Sequence, residues 1–261
     1  MSNPDPRHIE KRYLLLDDRI IESTENAEII LGSIHKHPDN PLFEEDSTWE
    51  KRFDNLYANV IWDEEEQLYK CWYSPFIISH SSKKMTIEQR KEKGYGKHPQ
   101  EMGICYATSE DGINWNKPKL GLVEYDGNKE NNLIWRGEKS EREDVSKSYW
   151  AGPHGSGIFK DTMDSNSGRR YKAILKYKTL SVAFSRDGLR WGSAIACPEA
   201  DSHGDTHNNA FWAPTMNRYV AITRNWRKAG DEYIRQVART SSEDFEEWNK
   251  TEFILEGLDS N

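Results

Sequence analysis

The sequence predicts an all-β protein built from repeated four-stranded units. The chain of 261 residues has a mean hydropathy of -0.93 and 35% hydrophobic residues, yet 11% of its residues are aromatic, which is too many for a disordered chain. One turn motif recurs three times, and each copy follows a short run rich in β-branched or aromatic residues. Few segments have the apolar spacing of a helix. We therefore expect a core of strands that carry few but large side chains.

The recurring motif reads Ser-x-Asp-(Gly/Phe)-x-x-Trp and occupies residues 109–115, 185–191 and 242–248. An Asp-Gly pair between two apolar runs predicts a tight hairpin, because glycine accepts a positive φ and aspartate bonds its own backbone. The tryptophan that follows is expected to pack back over the turn.

The strands are predicted in chain order from the positions of these turns. The N-terminal part, 12–32, supplies two strands, of which the second covers Ala27–Leu31. Each unit then contains an inner strand, a second strand with a tyrosine near its start, a third strand that enters the turn motif, and an outer strand after the tryptophan. The three units cover approximately residues 54–125, 150–198 and 205–256. Residues 77–101 are interpreted as a polar surface loop with one helical turn.

The spacing of the motif tryptophans, 76 and then 57 residues, is typical of the blades of a β-propeller. Three blades cannot close a ring, since propellers have at least four. We therefore expect one domain over residues 1–261 that is incomplete at its C-terminus. Its uncovered edge strands predict self-association.

Composition excludes several classes of protein. No apolar run approaches the ~20 residues of a membrane span, and a net charge of -8 argues against binding a phosphate backbone. The three cysteines lie far apart in strand-like runs, which indicates buried reduced thiols rather than a disulfide framework or a metal site. The N-terminus lacks the layout of a secretory signal, so a cytoplasmic protein is expected, although a processed exported form would look the same.

Several motifs resemble those of the five-bladed β-propeller glycoside hydrolases, the invertase, levansucrase and arabinanase superfamily. They are Asn-Pro-Leu-Phe at 40–43, Trp-Glu at 49–50, Cys-Trp-Tyr-Ser at 71–74, and Tyr-Ala-Thr-Ser-x-Asp-Gly-x-x-Trp at 106–115. The resemblance implies a five-bladed propeller of which about three blades lie in this chain. It also implies an active site at one end of the central axis, where three carboxylates from different blades act as nucleophile or base, stabiliser and general acid. The superfamily's Trp-Met-Asn-Asp-Pro and Arg-Asp-Pro motifs are absent, so these roles do not transfer residue by residue.

The segments that enter the three inner strands carry the candidate site residues, because inner strands converge on the axis. Asp54 is the candidate base or nucleophile and Asp205 the candidate stabiliser; the alternative for both is that they cap turns. The candidate substrate-binding residues are polar or aromatic side chains in or beside these segments: Asn55, Tyr57, His154, His207, Asn208, Trp212 and Arg224. Trp150 and Trp226 are further candidates for stacking on sugar rings. Arg224 and Arg239 are candidates for binding an anionic substituent such as a carboxylate or sulfate; the alternative is that these arginines are half-exposed and solvated.

Two clusters of polar residues need a separate interpretation. His203 and His207 flank Asp205 with the period of two that metal ligands on one strand would have. The alternative is hydrogen bonding to sugar hydroxyls, and the sequence assigns no metal and no cofactor; the resemblance leaves an axial calcium ion open. The acidic run at 63–66 is interpreted as a solvated hairpin turn.

These observations predict a glycoside hydrolase-like protein that acts on an oligo- or polysaccharide at the propeller axis by carboxylate acid/base chemistry. A carboxyl separation of ~5 Å would indicate a retaining enzyme and ~6.5–9.5 Å an inverting one. The alternative is a non-catalytic carbohydrate-binding or scaffolding propeller, which the missing motifs favour. A sialidase-like protein is a third interpretation, weakened by the lack of an arginine cluster with a Tyr-Glu pair.

Overall fold

A computed structural model describes residues 18, 21–53, 55–78, 100–139 and 150–254. Their regular secondary structure is almost entirely β, with short 3-10 turns at Ser167–Arg169 and Pro198–Ala200. The all-β prediction is therefore confirmed. No helix within these ranges is long and apolar enough to cross a membrane.

Three four-stranded antiparallel sheets follow one another along the chain, each with its strands in sequence order from inner to outer. The first sheet contains β1 (Asn59–Asp63), β2 (Leu68–Tyr73), β5 (Ile104–Ser109) and β6 (Leu133–Trp135). The second contains β8 (His154–Lys160), β9 (Tyr171–Tyr177), β10 (Thr179–Ser185) and β11 (Ile195–Ala196). The third contains β12 (Asn209–Ala213), β13 (Arg218–Ala229), β14 (Glu232–Ser242) and β15 (Glu252–Phe253). The prediction of antiparallel four-stranded sheets is confirmed, but the outer strand of the first sheet lies beyond the range 54–125 predicted for that unit.

A fourth, three-stranded sheet has no counterpart in the sequence prediction. It joins β3 (Phe76–Ile78), β4 (Gln100–Met102) and β7 (Trp150–Ala151), and β4 pairs with β7 in parallel. Its first two strands stand at the ends of the loop predicted for 77–101; the helical turn expected inside that loop lies outside the described residues. The strand predicted at Ala27–Leu31 is not formed, because this exposed segment pairs with no sheet.

The repeated turn has the hydrogen bonds that its sequence predicts. In the second sheet Asp187 Oδ1 accepts from the amides of Leu189 (2.9 Å) and Arg190 (2.7 Å), and Ser185 Oγ accepts from the amide of Gly188 (2.9 Å). Trp191 folds back so that its Nε1 donates to the Gly188 carbonyl at 3.1 Å. The other two copies show the same aspartate and serine bonds.

The variable fourth position of the motif matches the side chain that faces it from the preceding sheet. At Gly188, with φ 75°, a Cβ would lie 2.8 Å from the ring of Trp72 in the first sheet. In the second sheet the position equivalent to Trp72 is the smaller Ile174, and in the third sheet the motif has Phe245 instead of glycine. Phe245 keeps a positive φ of 68° and is fully buried. Trp72 of the first sheet thus fills the space between the first and second sheets, and Phe245 of the third sheet fills the space between the second and third.

A buried Asp–Lys pair joins each sheet to the next. Asp63, at the end of β1, binds Lys70 of its own sheet at 2.8 Å and the Tyr171 hydroxyl of the second sheet at 3.1 Å. Burial raises the pKa of Asp63, but hydrogen bonds from Lys160 and Lys70 outweigh it and hold the pKa well below its ordinary value. Asp63 is therefore not part of a solvated turn, as predicted for 63–66, although Glu64, Glu65 and Glu66 are exposed.

The second such pair joins the second sheet to the third. Asp161 binds Lys172 at 2.8 Å and accepts a hydrogen bond from the Tyr219 hydroxyl at 2.6 Å. Each of these two groups, which we call the inter-sheet clamps, contains an aspartate after the inner strand, a lysine in the second strand and a tyrosine of the next sheet. The third sheet has Ala213 and Val220 at the positions of the aspartate and the lysine.

The three cysteines are buried and free, as predicted. Burial raises the pKa of both Cys71 and Cys197 to about 12. These thiols are consequently packing groups of the sheets.

Candidate functional site

The starts of the three inner strands lie side by side, and we call this end of the sheets the mouth. The Asn59 side chain at the start of β1 donates to the Ser156 carbonyl of β8 at 2.8 Å and accepts from the Ile158 amide at 3.0 Å. Asn208, just before β12, donates to the Gly155 carbonyl at 2.8 Å. Because asparagine offers both a donor and an acceptor, it can satisfy the backbone of two strands that are not paired in one sheet.

Two glycines allow β8 to approach the segment before β12. A Cβ on Gly155 would lie 1.6 Å from the Thr206 carbonyl oxygen, and one on Gly157 would lie 1.8 Å from the Asn208 carbonyl oxygen. Gly155 also has a φ of 63°. The glycine-rich run that precedes the second inner strand therefore has a steric purpose at the mouth.

Asp205 supplies a carboxylate to the mouth. Its Oδ1 lies 3.2 Å from His154 Nε2 and 3.9 Å from Lys176 Nζ, and its Oδ2 accepts from Arg224 Nη2 at 2.8 Å. The hydrogen bond from His154 lowers the pKa of Asp205, burial opposes it, and Lys176 and Arg224 lower it further, to about 2. Since 42% of the side chain is exposed, this ionised group also faces solvent.

His154 and His207 both pack against one tyrosine ring. The ring centroid of Tyr57 lies 5.3 Å from that of His154 and 5.2 Å from that of His207. His154 Nδ1 is 2.8 Å from Met102 Sδ, and His207 Nε2 is 3.4 Å from Asn59 Oδ1. Burial lowers the pKa of His207, which favours its neutral form.

The backbone of Tyr57 is held in an uncommon conformation. Its φ is 46°, a region that residues other than glycine rarely occupy, and Asn55 two residues earlier has a φ of 62°. Such backbone strain concentrates at binding and catalytic sites, where the surrounding contacts compensate for it. Here the strained backbone carries the ring that contacts both histidines.

Most of the candidate residues are brought together. Arg224, Asp205, His154, Tyr57 and His207 form a chain of direct contacts at the mouth, in that order, and Asn208 bonds the Gly155 carbonyl next to His154. Asn55 is exposed in the loop before β1, and Asp54 lies outside the described residues, as does the Trp150 side chain.

Three further candidates are placed elsewhere. The Trp212 ring packs on Tyr219 at 4.9 Å against the core between the second and third sheets, so its position gives no support to a substrate contact. Arg239 pairs with Glu252 at 3.1 Å. His203 is exposed, and among the residues the structure describes no three His, Cys, Asp or Glu side chains gather as a metal-binding group. The absence of a cofactor stays a prediction.

Sequence reasoning did not select Asn59, Lys176 or Thr223. Asn59 could have been found, since it begins the first inner strand as Asn208 immediately precedes the third, and both bond a carbonyl of β8. Thr223 donates its hydroxyl to Asn208 Oδ1 at 2.6 Å. Thr223 and Lys176 lie near the mouth end of second strands, where no turn or motif distinguishes them from other strand residues.

No protein-family model matches the chain, and no curated protein matches it. Solved structures do: an N-acetylgalactosamine deacetylase from F. plautii in complex with blood group B trisaccharide is 12% identical at a TM-score of 0.38, over 74% of this chain and 50% of that one. A candidate glycoside hydrolase from Parabacteroides distasonis is 16% identical at a TM-score of 0.41, over 78% of this chain and 54% of that one. A glycosyl hydrolase from Bacteroides ovatus is 15% identical at a TM-score of 0.33, over 78% and 71%. The chain thus spans about half the length of the first two. Likenesses at these identities and TM-scores report nothing about the chemistry of the mouth.

Proposed function

We propose that the protein is a glycoside hydrolase-like, carbohydrate-active protein whose three four-stranded sheets are blades of a propeller, and that it binds its sugar at the mouth. The observation that carries this proposal is the placement of Asp205. Its carboxylate is ionised and partly exposed where three inner strands meet, and an imidazole and a guanidinium hold it in place. Hydroxyl-rich ligands suit such a mixture of fixed charges, amides and aromatic rings.

Within this proposal Asp205 stabilises positive charge. Glycosidic bonds break through a transition state that resembles an oxocarbenium ion. A carboxylate whose pKa is about 2 stays ionised at neutral pH, so it cannot serve as the proton donor, but it can stabilise the charge that develops on the sugar. Asp54 remains the proposed base or nucleophile, because it immediately precedes the loop that carries Tyr57.

A non-catalytic carbohydrate-binding protein is the second candidate. A glycosidase needs two carboxyl groups at the scissile bond. Among the described residues, the contacts at the mouth involve one carboxylate, that of Asp205. The pairing of Asp205 with His154 and Arg224 would also suit a carboxylate that only binds the hydroxyl groups of a sugar.

The variant Asp205→Asn separates the two candidates, with Asp201→Asn as a matched control. Asp201 is an exposed acid nearby in the chain that pairs with Lys250 at 3.2 Å, and asparagine tolerates its φ of 51°. With a panel of aryl glycosides, a glycosidase loses about 10²–10³-fold in kcat on Asp205→Asn, because one group that stabilises the transition state is removed. Sugar binding by this variant persists, and the control keeps its activity.

Other outcomes have definite meanings. Sugar binding without hydrolysis by the unaltered protein establishes the binding protein instead. Failure to bind any carbohydrate on a glycan array overturns the proposed function in both forms.

A further inference from the structure

A small pocket opens beside the mouth on the third sheet. Its volume is about 260 Å³, and its lining includes Thr206, His207, Arg224, Arg235 and Gln236. Two of its lining residues, His207 and Arg224, also belong to the mouth, so a ligand at the mouth would extend directly into the pocket. Pockets that enclose a drug-sized ligand measure about 300–1,000 Å³. This one is of a size for a single sugar unit or its substituent.

The pocket exists because two strands of the third sheet are unusually long. β13 and β14 have twelve and eleven residues, whereas β12 pairs only with residues 218–222. The remainder of β13 and β14 continues past the mouth as a two-stranded hairpin. Its register places Trp226 opposite Arg235 and Arg224 opposite Val237, so these four side chains share one face.

The indole of Trp226 lies within cation–π distance of both arginines. The guanidinium carbon of Arg224 lies 5.4 Å from the ring centroid, and that of Arg235 lies 5.1 Å from it. A cation near an aromatic face is stabilised by the ring quadrupole, and a planar guanidinium is oriented by stacking. Trp226 therefore keeps two positive charges close together at the edge of the pocket.

The charges in the pocket are not balanced by the protein. Its lining contains two arginines and no acidic residue. Arg224 shares Asp205 with His154 and Lys176, and within the part of the chain that the structure describes Arg235 interacts only with the Trp226 ring. This local excess of positive charge stands out in a protein whose net charge is -8. A guanidinium with free N–H groups is a strong donor to the paired oxygens of an oxyanion.

We propose that this pocket binds the oxyanion of an acidic sugar, such as the carboxylate of a uronic acid, while the neighbouring sugar unit lies at Asp205. The inference rests on the proposed carbohydrate function and names its substrate class. Arg235 is the specificity-determining residue, because its guanidinium has no carboxylate partner in the described chain. Arg224 joins the pocket to the mouth.

Isothermal titration tests the proposal with a panel of uronate-containing trisaccharides and the methyl esters of the same sugars, which lack the charge. The unaltered protein is expected to bind an acid at least about tenfold more tightly than its ester, as a hydrogen bond between charged groups implies. Arg235→Gln is expected to remove most of that preference, by weakening binding of the acid far more than binding of the ester. Lys228→Gln is the matched control, since Lys228 lies on the same face of the hairpin but does not line the pocket.

Each remaining outcome decides a different point. Equal affinity for acid and ester overturns this inference and leaves the proposed function intact, whereas binding of neither overturns both. An equal loss in Arg235→Gln and Lys228→Gln shows general electrostatic attraction and overturns the assignment to the pocket. A sulfated trisaccharide that binds in place of the uronates assigns the same oxyanion chemistry to sulfate. Inorganic sulfate that binds as tightly as any sugar overturns the acidic-sugar assignment.

Discussion

Asp205 illustrates how single side chains set the electrostatics of the mouth. A partly exposed carboxylate normally titrates near 3.8, but here a hydrogen bond from His154 and the charges of Lys176 and Arg224 bring the pKa to about 2. The same contacts hold Arg224 in position for the pocket behind it. One carboxylate thus holds an imidazole and two cations, Lys176 and Arg224, that would otherwise repel each other.

The depressed pKa of Asp205 predicts a pH-dependent contribution to stability. As pH falls, the unfolded chain takes up the proton first, so the contribution is complete above about pH 4 and is lost as pH falls towards 2. The free energy of unfolding of Asp205→Asn, measured by urea denaturation, should therefore lie below that of the unaltered protein at pH 6. The two should converge between pH 4 and pH 2. A difference that stays constant over this range would show that Asp205 gains nothing from its partners.

At the scale of strands and sheets, the inter-sheet clamps explain how polar groups come to lie between apolar layers. The Lys172 side chain is fully buried and the Asp161 side chain is 2% exposed, and Tyr219 completes the group. A buried ion pair is costly to desolvate, whereas the loss of one partner leaves an uncompensated charge. The third sheet, with Ala213 and Val220 at these positions, shows the apolar alternative within the same fold.

This comparison predicts the behaviour of a double variant of the second clamp. Lys172→Val should lower the free energy of unfolding by about 3–5 kcal/mol, because it leaves the buried Asp161 carboxylate without its cation. Asp161→Ala should lower it by less, because Lys172 keeps a second partner, Asp164, at 2.7 Å. The double variant, which carries the residues of the third sheet, should lose less than the sum of the two single losses. Urea denaturation of all four proteins measures the coupling. Strictly additive losses would mean that the pair has no interaction of its own.

The elements that sequence reasoning found are those with local signals. The Asp187-Gly188 turn and the alternating strands around it are specified within a few residues, so their unit could be predicted. The parallel pairing of β4 with β7 joins segments about fifty residues apart and has no local pattern. The buried state of Asp63 was missed for the same reason, since Lys160 and Tyr171 come from the next sheet.

The residues of the candidate site also differ in whether a local sequence signal marks them. Asp205 precedes one inner strand and His154 begins another, and the convergence of those strands made both residues predictable. Arg235 belongs to a hairpin whose length beyond β12 becomes evident only from the pairing of the strands. Its basic side chain looks in the sequence like that of any exposed strand residue.

At the scale of the whole molecule, the first and third sheets each leave an outer face partly exposed. On the first sheet a groove of about 490 Å³ is lined by apolar side chains that include Val60, Tyr69 and Trp115, and Val60 is 52% exposed. On the third sheet Phe211 is 49% exposed, with Val237 and Ile254 nearby on β14 and after β15. The inner faces of the same two sheets pack against the second sheet. Apolar faces of this kind are normally covered in a folded protein.

These two faces predict that copies of this chain associate with one another. The first sheet offers a groove and the third an exposed aromatic ring, and contact between unlike faces repeats from copy to copy rather than closing as a symmetric dimer. Light scattering after size exclusion should therefore show a mass that rises with protein concentration. Val60→Lys or Phe211→Lys should each lower that mass, because a charge buried in the contact is costly.

Met163→Lys is the control, since Met163 is 55% exposed but lies in the loop after β8, away from both faces. If the protein stays a monomer at every concentration, or if Met163→Lys lowers the mass as much as the other two, the outer faces do not mediate association.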